Sequence, residues 1–325
     1  MTDPTPTPPQ WERAVLERVA LRALDEQRRA RQWSALFKLL FFILAFTLVA
    51  GWLGWIGRGE KEPGASGRHT ALVDLEGVIA PESKASAERV IRGLDRAFKD
   101  PETRGVVLRI NSPGGSPVQA GYIYDEMRRL RRKYPKIPLY AVVEDLCASG
   151  GYYVAAAADR IYVDKASLVG SIGVIIDSFG FTGAMEKLGI ERRAYTAGAN
   201  KDFLDPFAPE KPEQREHAQK MLEEIHQQFI KAVRDGRGAR LKDSPEIFSG
   251  LVWTGERSID LGLADAFGSP ESVARDVIKA EKIVDYTPEE SVFDTLSKRF
   301  GTTFGGAFGR AAAEAALRGA TAELR

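Results

Sequence analysis

The stretch DLCASGGYYVAAAAD, residues 145–159, is the part of the chain on which the interpretation of the rest depends. A strand-like run, Leu139–Val143, leads into it, and Ser149 precedes two glycines and an apolar helix-forming segment, Tyr152–Ala158. A serine at such a strand-to-helix turn has its hydroxyl raised above the sheet, and the glycines leave a bare amide for an oxyanion. The same residues are also typical of a serine helix cap with packing glycines, so this stretch alone leaves both interpretations open.

A second glycine turn lies upstream, at the end of another predicted buried strand. The strand Gly105–Ile110 runs directly into NSPGGS, residues 111–116. Pro113 fixes one dihedral angle and removes a donor, while the paired glycines let backbone amides approach a ligand closely. Such a turn can present an amide to a carbonyl oxygen or leave a strand edge open to an extended peptide. An ordinary strand-to-helix connection is the alternative.

Four blocks of sequence, in this order, resemble the signal peptide peptidase A family in its short single-domain bacterial form. The blocks are RINSPGGS at 109–116, DLCASGGYYVAAAAD at 145–159, VGSIGV at 169–174 and GANKDFLDPF at 198–207. This family belongs to the Clp and crotonase fold group of self-compartmentalised serine peptidases. The resemblance covers roughly residues 70–286 and implies an α/β domain, a Clp/crotonase-like spiral of repeated ββα turns.

The resemblance implies a serine–lysine dyad. Ser149 matches the nucleophile, Lys201 matches the general base, and Ser171 matches the serine that supports the lysine. Burial in an apolar pocket would lower the pKa of the Lys201 amine, which would then accept the serine proton. A solvated loop lysine is the alternative reading of the residue itself. In relatives the residue before this lysine is often aromatic, whereas here it is Asn200.

The three histidines of the chain are weaker candidates for the base. His69 lies in the predicted linker, and His217 and His226 are nine residues apart on a predicted helix, which places them on opposite sides of it. None of them belongs to a recognisable catalytic triad motif, so a Ser-His-Asp arrangement is not favoured.

Backbone amides are the candidates for an oxyanion hole. We expect the donors to be Gly150 and Gly115, with Gly114 as the alternative to Gly115. Ser167 lies close enough in sequence to be confused with Ser171. The sole cysteine, Cys147, is interpreted as a small buried packing residue, and it leaves no possibility of an intrachain disulfide.

The run Leu39–Ile56 contains no charged residue and has the length of a transmembrane anchor. A cleaved signal peptide is the competing interpretation, but its apolar core is usually shorter and ends at a small-x-small cleavage site, whereas this run contains Trp52 and Trp55. Basic residues are more frequent before the run than after it, which predicts a cytoplasmic amino end. The catalytic domain would then be periplasmic, on a single-pass protein of the bacterial inner membrane.

We therefore predict five regions and a strand–helix alternation in the fourth. The regions are a cytoplasmic tail and charged helix (1–38), the anchor (39–56), a linker (57–69), the peptidase domain (70–286) and a C-terminal helical extension (287–325). The predicted strands are a strand pair at Thr70–Ile79, then Gly105–Ile110, Leu139–Val143, Arg160–Val163, Ser171–Ile176 and Arg192–Thr196. The predicted helices are Ser83–Phe98, Val118–Lys133, Tyr152–Ala158, Thr182–Leu188, Pro212–Arg234, one within Ser244–Leu263, and Glu271–Lys282.

Composition excludes some functions and leaves others open. With 46 basic and 45 acidic residues the chain gives no indication of nucleic-acid binding. No metal-ligand cluster or nucleotide loop is recognisable in the sequence, since NSPGGS has no Lys-Ser/Thr pair, so no cofactor is expected.

The resemblance implies a membrane-anchored serine endopeptidase that digests remnant signal peptides, or other apolar peptides, after preprotein processing. Relatives form homo-oligomeric rings, such as octamers, in which Ser149 and Lys201 can come from different chains. A related protease for membrane-protein quality control is one alternative, and a non-catalytic membrane scaffold is another. Intact Ser149, Lys201 and Ser171 argue against the scaffold. An acyl-CoA enzyme of the crotonase type is disfavoured, because those enzymes are soluble and use acidic groups.

Overall fold

The structure, a computed structural model, describes residues 10–52, 67–242 and 244–288. The chain divides into an N-terminal helical unit and an α/β unit, Pro63–Glu289. The residues before 10, most of the predicted linker and most of the predicted C-terminal extension lie outside the described residues.

Among the described residues the N-terminal unit consists of one helix, α1, Gln10–Trp52. Its segment Gln27–Ala50 has 24 residues and contains an 18-residue window with a mean hydropathy of 2.1, which is long and apolar enough to cross a membrane. At 1.5 Å per residue this segment is about 36 Å long, against a hydrocarbon thickness of about 30 Å. The predicted charged helix and the predicted anchor up to Trp52 therefore lie on one continuous helix, and Leu53–Ile56 fall outside the described residues. The length and composition of this helix are consistent with the predicted anchor. A signal sequence near an N-terminus has a similar length and composition.

The α/β unit contains an eight-stranded mixed sheet in the order β6-β5-β3-β2-β1-β8, with β4 beside β3 and β7 beside β4. Every described pair is parallel except β5 with β6. The strands are β1 His69–Glu76, β2 Thr103–Ser112, β3 Leu139–Ala148, β4 Arg160–Val163, β5 Leu168–Gly170, β6 Val252–Thr254, β7 Ala266–Phe267 and β8 Ile283–Asp285.

Helices follow most of the strands. They are α2 Ala87–Lys99, α3 Pro117–Lys133, α4 Gly150–Ala155, α5 Thr182–Leu188, α6 Pro212–Arg237, α7 Gly255–Asp260 and α8 Pro270–Ser272, with 3₁₀ turns at Gly238–Arg240 and Pro245–Phe248 and a π-helical turn at Val273–Ile278. Both faces of the central strands are covered, since Val73 and Leu108 belong to one buried cluster while Leu72 and Val107 belong to another. Near-continuous apolar runs are the expected sequence of strands buried on both faces.

The strand β3 is where the sheet divides. Its first half, Tyr140–Val142, pairs with β4, and its last residues, Leu146–Ala148, pair with β5. Between these halves β2 advances from Ile110 to Ser112 while β3 advances from Val143 to Cys147, so β3 carries extra residues that bend it. Ser149 follows this bent strand directly.

Three predicted strands differ from the structure. The strand pair predicted at Thr70–Ile79 is a single strand, β1, which ends at Glu76. Ile79 lies beyond β1 and makes an isolated bridge with Gly115. Ser171–Ile176 is irregular, because β5 ends at Gly170 and the chain turns at Ser171 with a positive φ of 51°. Arg192–Thr196 is exposed and pairs with no strand among the described residues. A strand needs a neighbouring edge, which local sequence does not specify.

Candidate active site

Ser149 occupies a strained corner between β3 and α4. Its φ of 52° and ψ of −123° are unusual for a residue with a side chain. The Ser149 amide donates to the Gly170 carbonyl at 2.8 Å, and its carbonyl accepts from the Tyr153 amide at 2.9 Å. Although Ser149 is the N-cap residue of α4, its side chain makes no capping hydrogen bond. The hydroxyl is therefore available for chemistry, and the helix-cap interpretation does not describe what it does.

The second predicted glycine turn packs directly on this corner. A Cβ added to Gly114 would lie 2.7 Å from the Ser149 Cβ and 2.7 Å from the Gly150 nitrogen, and one added to Gly115 would lie 2.1 Å from the Ile79 carbonyl oxygen. Both glycines also have positive φ angles, 96° and 146°. Ile79 holds the turn on its other side, since its amide donates to the Gly114 carbonyl at 2.8 Å. The close approach of the two turns thus requires both glycines.

Two backbone amides of this corner remain free to bind a ligand. In the part of the chain that the structure describes, the N–H groups of Gly115 and Gly150 have no hydrogen-bond acceptor. The two residues are neighbours, because the ideal Cβ position of Gly150 lies 3.3 Å from the Gly115 nitrogen. The Gly114 amide, in contrast, donates to the Ser112 hydroxyl at 3.2 Å. This geometry favours Gly115 over its alternative, Gly114, as the partner of Gly150 in an oxyanion hole.

Ser149, Gly115, Gly150 and Ser171 line one cavity of about 440 Å³. Apolar side chains from α4, α6 and the irregular segment after Ser171 form part of the wall, namely Tyr153, Ile175, Ile225 and Phe229, and polar residues such as Gln228 and Ser249 also line the cavity. Ile225 and Phe229 are four residues apart on α6 and therefore share a face of that helix. Neither residue is among the site residues predicted from the sequence, although their spacing of four on a predicted helix indicates a shared apolar face.

Ser171, the predicted supporting serine, lines the same cavity as Ser149. Ser171 is half-buried on the cavity, and its amide donates to the Leu251 carbonyl at 2.7 Å. Ser167 is buried instead, and its hydroxyl donates to the Glu144 carbonyl at 2.5 Å and accepts from the Asp164 amide at 3.0 Å. Ser167 therefore braces a loop, and of these two serines Ser171 is the one that shares a cavity with Ser149.

Lys201 is not brought to Ser149 within the single chain. Its side chain is exposed and does not line the cavity, and its amide donates to the Gly198 carbonyl at 3.2 Å. Its neighbour Asp202 is held by Lys211 at 2.8 Å, and this contact lowers the pKa of that carboxyl. Among the described residues the Lys201 ammonium has no carboxylate partner. The expected apolar pocket around Lys201 is absent from the single chain as described.

The histidines and the cysteine are not placed as a base or a nucleophile. His69 is not a linker residue but the first residue of β1, fully buried, with Nε2 3.0 Å from the Tyr286 hydroxyl. His226 Nε2 lies 3.2 Å from the Ile172 carbonyl, and His217 lies against the Phe203 ring. Cys147 is fully buried, and burial raises the pKa of its thiol well above the usual range. None of the four lines the cavity.

Comparison with known proteins places these residues in a family. The model of peptidase family S49 matches residues 131–284. A putative signal peptide peptidase SppA of Enterococcus faecium is 30% identical over 242 residues, covering 72% of this chain and 70% of that protein. A putative protease of Methanocaldococcus jannaschii is 36% identical over 218 residues, covering 66% of this chain and 69% of that protein.

Other similarities cover only a small part of the matched protein or have a low sequence identity. A Brucella abortus protein described as the Na(+)/H(+) antiporter NhaA is 48% identical over 182 residues, which is 56% of this chain and 25% of that protein. This chain thus spans a quarter of the length of that relative. Among solved structures, a mutant of the 1510-N membrane-bound stomatin-specific protease aligns over 69% of this chain and all of its own, with 11% identity and a TM-score of 0.40. That score is too low to support an argument.

The glycine turns, the corner serine and the supporting serine all lie within the region shared with the relatives that are matched over most of their length. On this evidence the chain belongs to peptidase family S49, among the relatives of signal peptide peptidase A.

Proposed function

We propose that this protein is a serine endopeptidase whose nucleophile is the Ser149 hydroxyl. The observation that carries the proposal is the geometry of the β3–α4 corner. Among the described residues, a strained serine whose hydroxyl makes no hydrogen bond stands beside two amides without acceptors, in a cavity lined in part by apolar side chains. This is the arrangement that acyl transfer needs: a nucleophile next to preorganised donors for the tetrahedral oxyanion. Membership of a peptidase family supports the same conclusion.

We further propose that the domain is of the Clp/crotonase type, as the four sequence blocks imply. The parallel strands followed by helices and the division of the sheet along β3 support this assignment. Because the two halves of β3 pair with different neighbours, Ser149 directly follows the half that pairs with β5.

The general base in this proposal is Lys201 of a neighbouring copy of the chain. Ser149 and Ser171 line the cavity of one chain, whereas Lys201 of the same chain is exposed and has no carboxylate partner among the residues that the structure describes. The segment 175–207 that carries Lys201 also exposes large apolar side chains, including Ile175 at 76%, Phe179 at 75% and Tyr195 at 93%. Large apolar patches mark protein interfaces, so assembly would cover this segment and desolvate the lysine.

The reaction then follows in balanced steps. The Ser149 hydroxyl gives its proton to the neutral Lys201 amine and attacks the peptide carbonyl carbon. The Gly115 and Gly150 amides donate to the oxyanion of the tetrahedral intermediate. As the intermediate collapses, the C–N bond breaks and the leaving amine takes the proton from Lys201. Water next gives a proton to the Lys201 amine as its oxygen attacks the acyl carbon. The bond between that carbon and the Ser149 oxygen then breaks, the serine oxygen takes the proton back from Lys201, and the acid is released.

The proposed substrates are remnant signal peptides in or at the bacterial inner membrane. Support comes from the apolar helix Gln27–Ala50, from the apolar cavity walls and from the similarity to a putative signal peptide peptidase. In this arrangement the amino end is cytoplasmic and the α/β unit is periplasmic. A related role in membrane-protein quality control is the second candidate, and a panel of signal peptides and membrane proteins would separate the two.

The test uses the full-length protein in detergent with an apolar reporter peptide. Ser149→Ala and Lys201→Ala should each abolish turnover, while Lys220→Ala, which removes an exposed helical lysine paired with Glu216, should leave it unchanged. A serine-reactive fluorophosphonate probe should label wild-type protein at Ser149. Absence of labelling together with absence of turnover would favour the non-catalytic scaffold, and normal turnover of Lys201→Ala would exclude the dyad.

A further inference from the structure

Ser112 is a fully buried polar residue that touches both halves of the proposed oxyanion hole. It is the last residue of β2, its exposure is 0%, and it does not line the cavity. Ser112 therefore contacts no substrate, and any part it plays in the reaction acts through other groups.

Both hydrogen bonds of the Ser112 hydroxyl go to the backbone, and their directions are unambiguous. A carbonyl can only accept, so the hydroxyl donates to the Gly77 carbonyl at 2.6 Å. An amide can only donate, so the hydroxyl accepts from the Gly114 amide at 3.2 Å. The hydroxyl thus joins the end of β1 to the glycine turn, and no other side chain among the described residues bonds to the Gly114 amide.

This contact holds the turn on the amide side of Gly114, while the bond from the Ile79 amide to the Gly114 carbonyl holds it on the carbonyl side. Two consecutive glycines have wide conformational freedom, and the peptide between them can rotate unless its neighbours are held. With the Gly114 amide drawn back onto Ser112, the next amide, that of Gly115, is left without an acceptor beside Gly150. If the Ser112 bond were lost, the Gly114 carbonyl would keep its bond to the Ile79 amide, but the peptide before Gly114 would lose its anchor, and the Gly114 dihedral angles that aim the Gly115 amide would be less tightly set.

The backbone and Cβ of Ser112 also contact the helix that carries the second donor. The ideal Cβ position of Gly151, in the first turn of α4, lies 3.1 Å from the Ser112 carbonyl oxygen and 3.4 Å from its Cβ. One buried residue therefore packs against the segment that contains the Gly150 amide and holds the turn that contains the Gly115 amide.

We propose that Ser112 is a positioning residue that sets the orientation and spacing of the two oxyanion donors. This inference rests on the proposed peptidase function. A misplacement of about 1 Å at a reacting centre can cost on the order of 10²-fold in rate, so a missing hydroxyl at this position should affect kcat more than substrate binding.

The experiment compares Ser112→Ala with the wild type as full-length protein in detergent, with rates normalised to the sites titrated by a fluorophosphonate probe. We expect kcat per titrated site to fall about 10–100-fold while KM changes less than about threefold. A peptide aldehyde forms a hemiacetal with the serine, and its oxygen would occupy the hole. Its affinity should fall in parallel with kcat, whereas a variant that is merely less stable keeps normal affinity in its folded fraction.

Two further variants complete the design. Ser258→Ala removes an equally buried hydroxyl that donates to the Gly255 carbonyl at 2.7 Å, far along the chain from the site, and should keep wild-type kcat per site. Ser112→Thr keeps the hydroxyl but adds a methyl group to a packed position. It should lower the thermal midpoint yet retain kcat and aldehyde affinity within a few-fold of the wild type.

Normal kcat and aldehyde affinity in Ser112→Ala would overturn the inference. If Ser112→Ala gives no titratable sites, Ser112→Thr decides, because a loss of per-site rate and aldehyde affinity despite its hydroxyl would contradict the proposal. Failure of the peptidase function itself looks different: the wild-type protein would then neither turn over peptide nor react with the probe.

Discussion

Position 114 illustrates how a glycine can be required by contact and not by conformation alone. We predict that Gly114→Ala abolishes peptidase activity, because the new methyl group would lie 2.7 Å from both the Ser149 Cβ and the Gly150 nitrogen. The matched control is Gly67→Ala, since Gly67 has the same φ of 96° but nothing within 4 Å of its ideal Cβ position. The measurement is turnover per folded protein. Equal losses in the two variants would show that backbone strain, and not the contact, is responsible.

The strain at Ser149 leads to a prediction about stability. A side chain at φ 52° and ψ −123° costs roughly 1–3 kcal/mol, and glycine adopts this region without that cost. The free energy of unfolding of Ser149→Gly should therefore exceed that of Ser149→Ala by about 1 kcal/mol, once the greater conformational entropy that glycine loses on folding is subtracted. Both variants should be inactive. Thermal midpoints of the two variants provide the comparison. A lower midpoint for Ser149→Gly would mean that the corner is not strained in solution.

At the scale of elements, a buried ion pair joins α6 to the β4 edge of the sheet. Arg237 is 1% exposed, and its guanidinium donates to the Asp265 carboxylate at 2.8 Å. The same carboxylate accepts from the Ile161 amide at 2.7 Å. Burial opposes ionisation of Asp265, but the Arg237 hydrogen bond and charge more than offset it, so the pKa of the carboxyl is lowered. The pair therefore positions α6, which provides one wall of the cavity.

This pair predicts a pH-dependent stability. Because the folded-state pKa is lowered, the contribution of Asp265 is fully present above the ordinary aspartate value of about 3.9 and is lost as pH falls through the lowered value. Asp265→Asn should cost about 3–5 kcal/mol at pH 7, because it leaves a buried guanidinium without its counter-charge. Thermal midpoints at pH 7 and below pH 4 should show this difference shrinking with acid. The exposed pair of Asp235 with Lys231 is the control, and Asp235→Asn should change the midpoint little.

At the scale of the whole molecule, complementation tests whether the site is built between chains. Neither Ser149→Ala nor Lys201→Ala has both reactive groups, so a site within one chain gives no activity in any mixture. If neighbouring copies share the site, co-expression of the two variants restores about a quarter of the wild-type activity by random assembly in a ring. Turnover of the co-purified mixture is the measurement. Mixing the purified variants without subunit exchange is the control, and it should remain inactive.

A second observable at this scale is the size of the particle. The exposed apolar segment 175–207 predicts an oligomer, and sedimentation of the full-length protein in detergent should show one. If the full-length protein sediments as a strict monomer and still cleaves peptide, the shared site is contradicted. The base would then have to lie within one chain.

The local features of this protein could be predicted from its sequence. The alternation of strands and helices, both glycine turns, the serine at the corner and the family were all readable from it, because dihedral preferences and burial patterns are properties of short segments. The same information named Ser171 and Gly115 as site residues, and both line the cavity that contains Ser149, while their roles stay predictions.

Features that depend on contacts between residues far apart in sequence could be seen only in the folded chain. It showed that Ser171–Ile176 and Arg192–Thr196 are not strands, that Gly114 is engaged by Ser112 while Gly115 is not, and that Lys201 lies away from Ser149 in one chain. A strand requires a free edge beside it, and an amide is free only when nothing accepts from it. Both conditions involve residues far apart in sequence, so only the folded chain settles them.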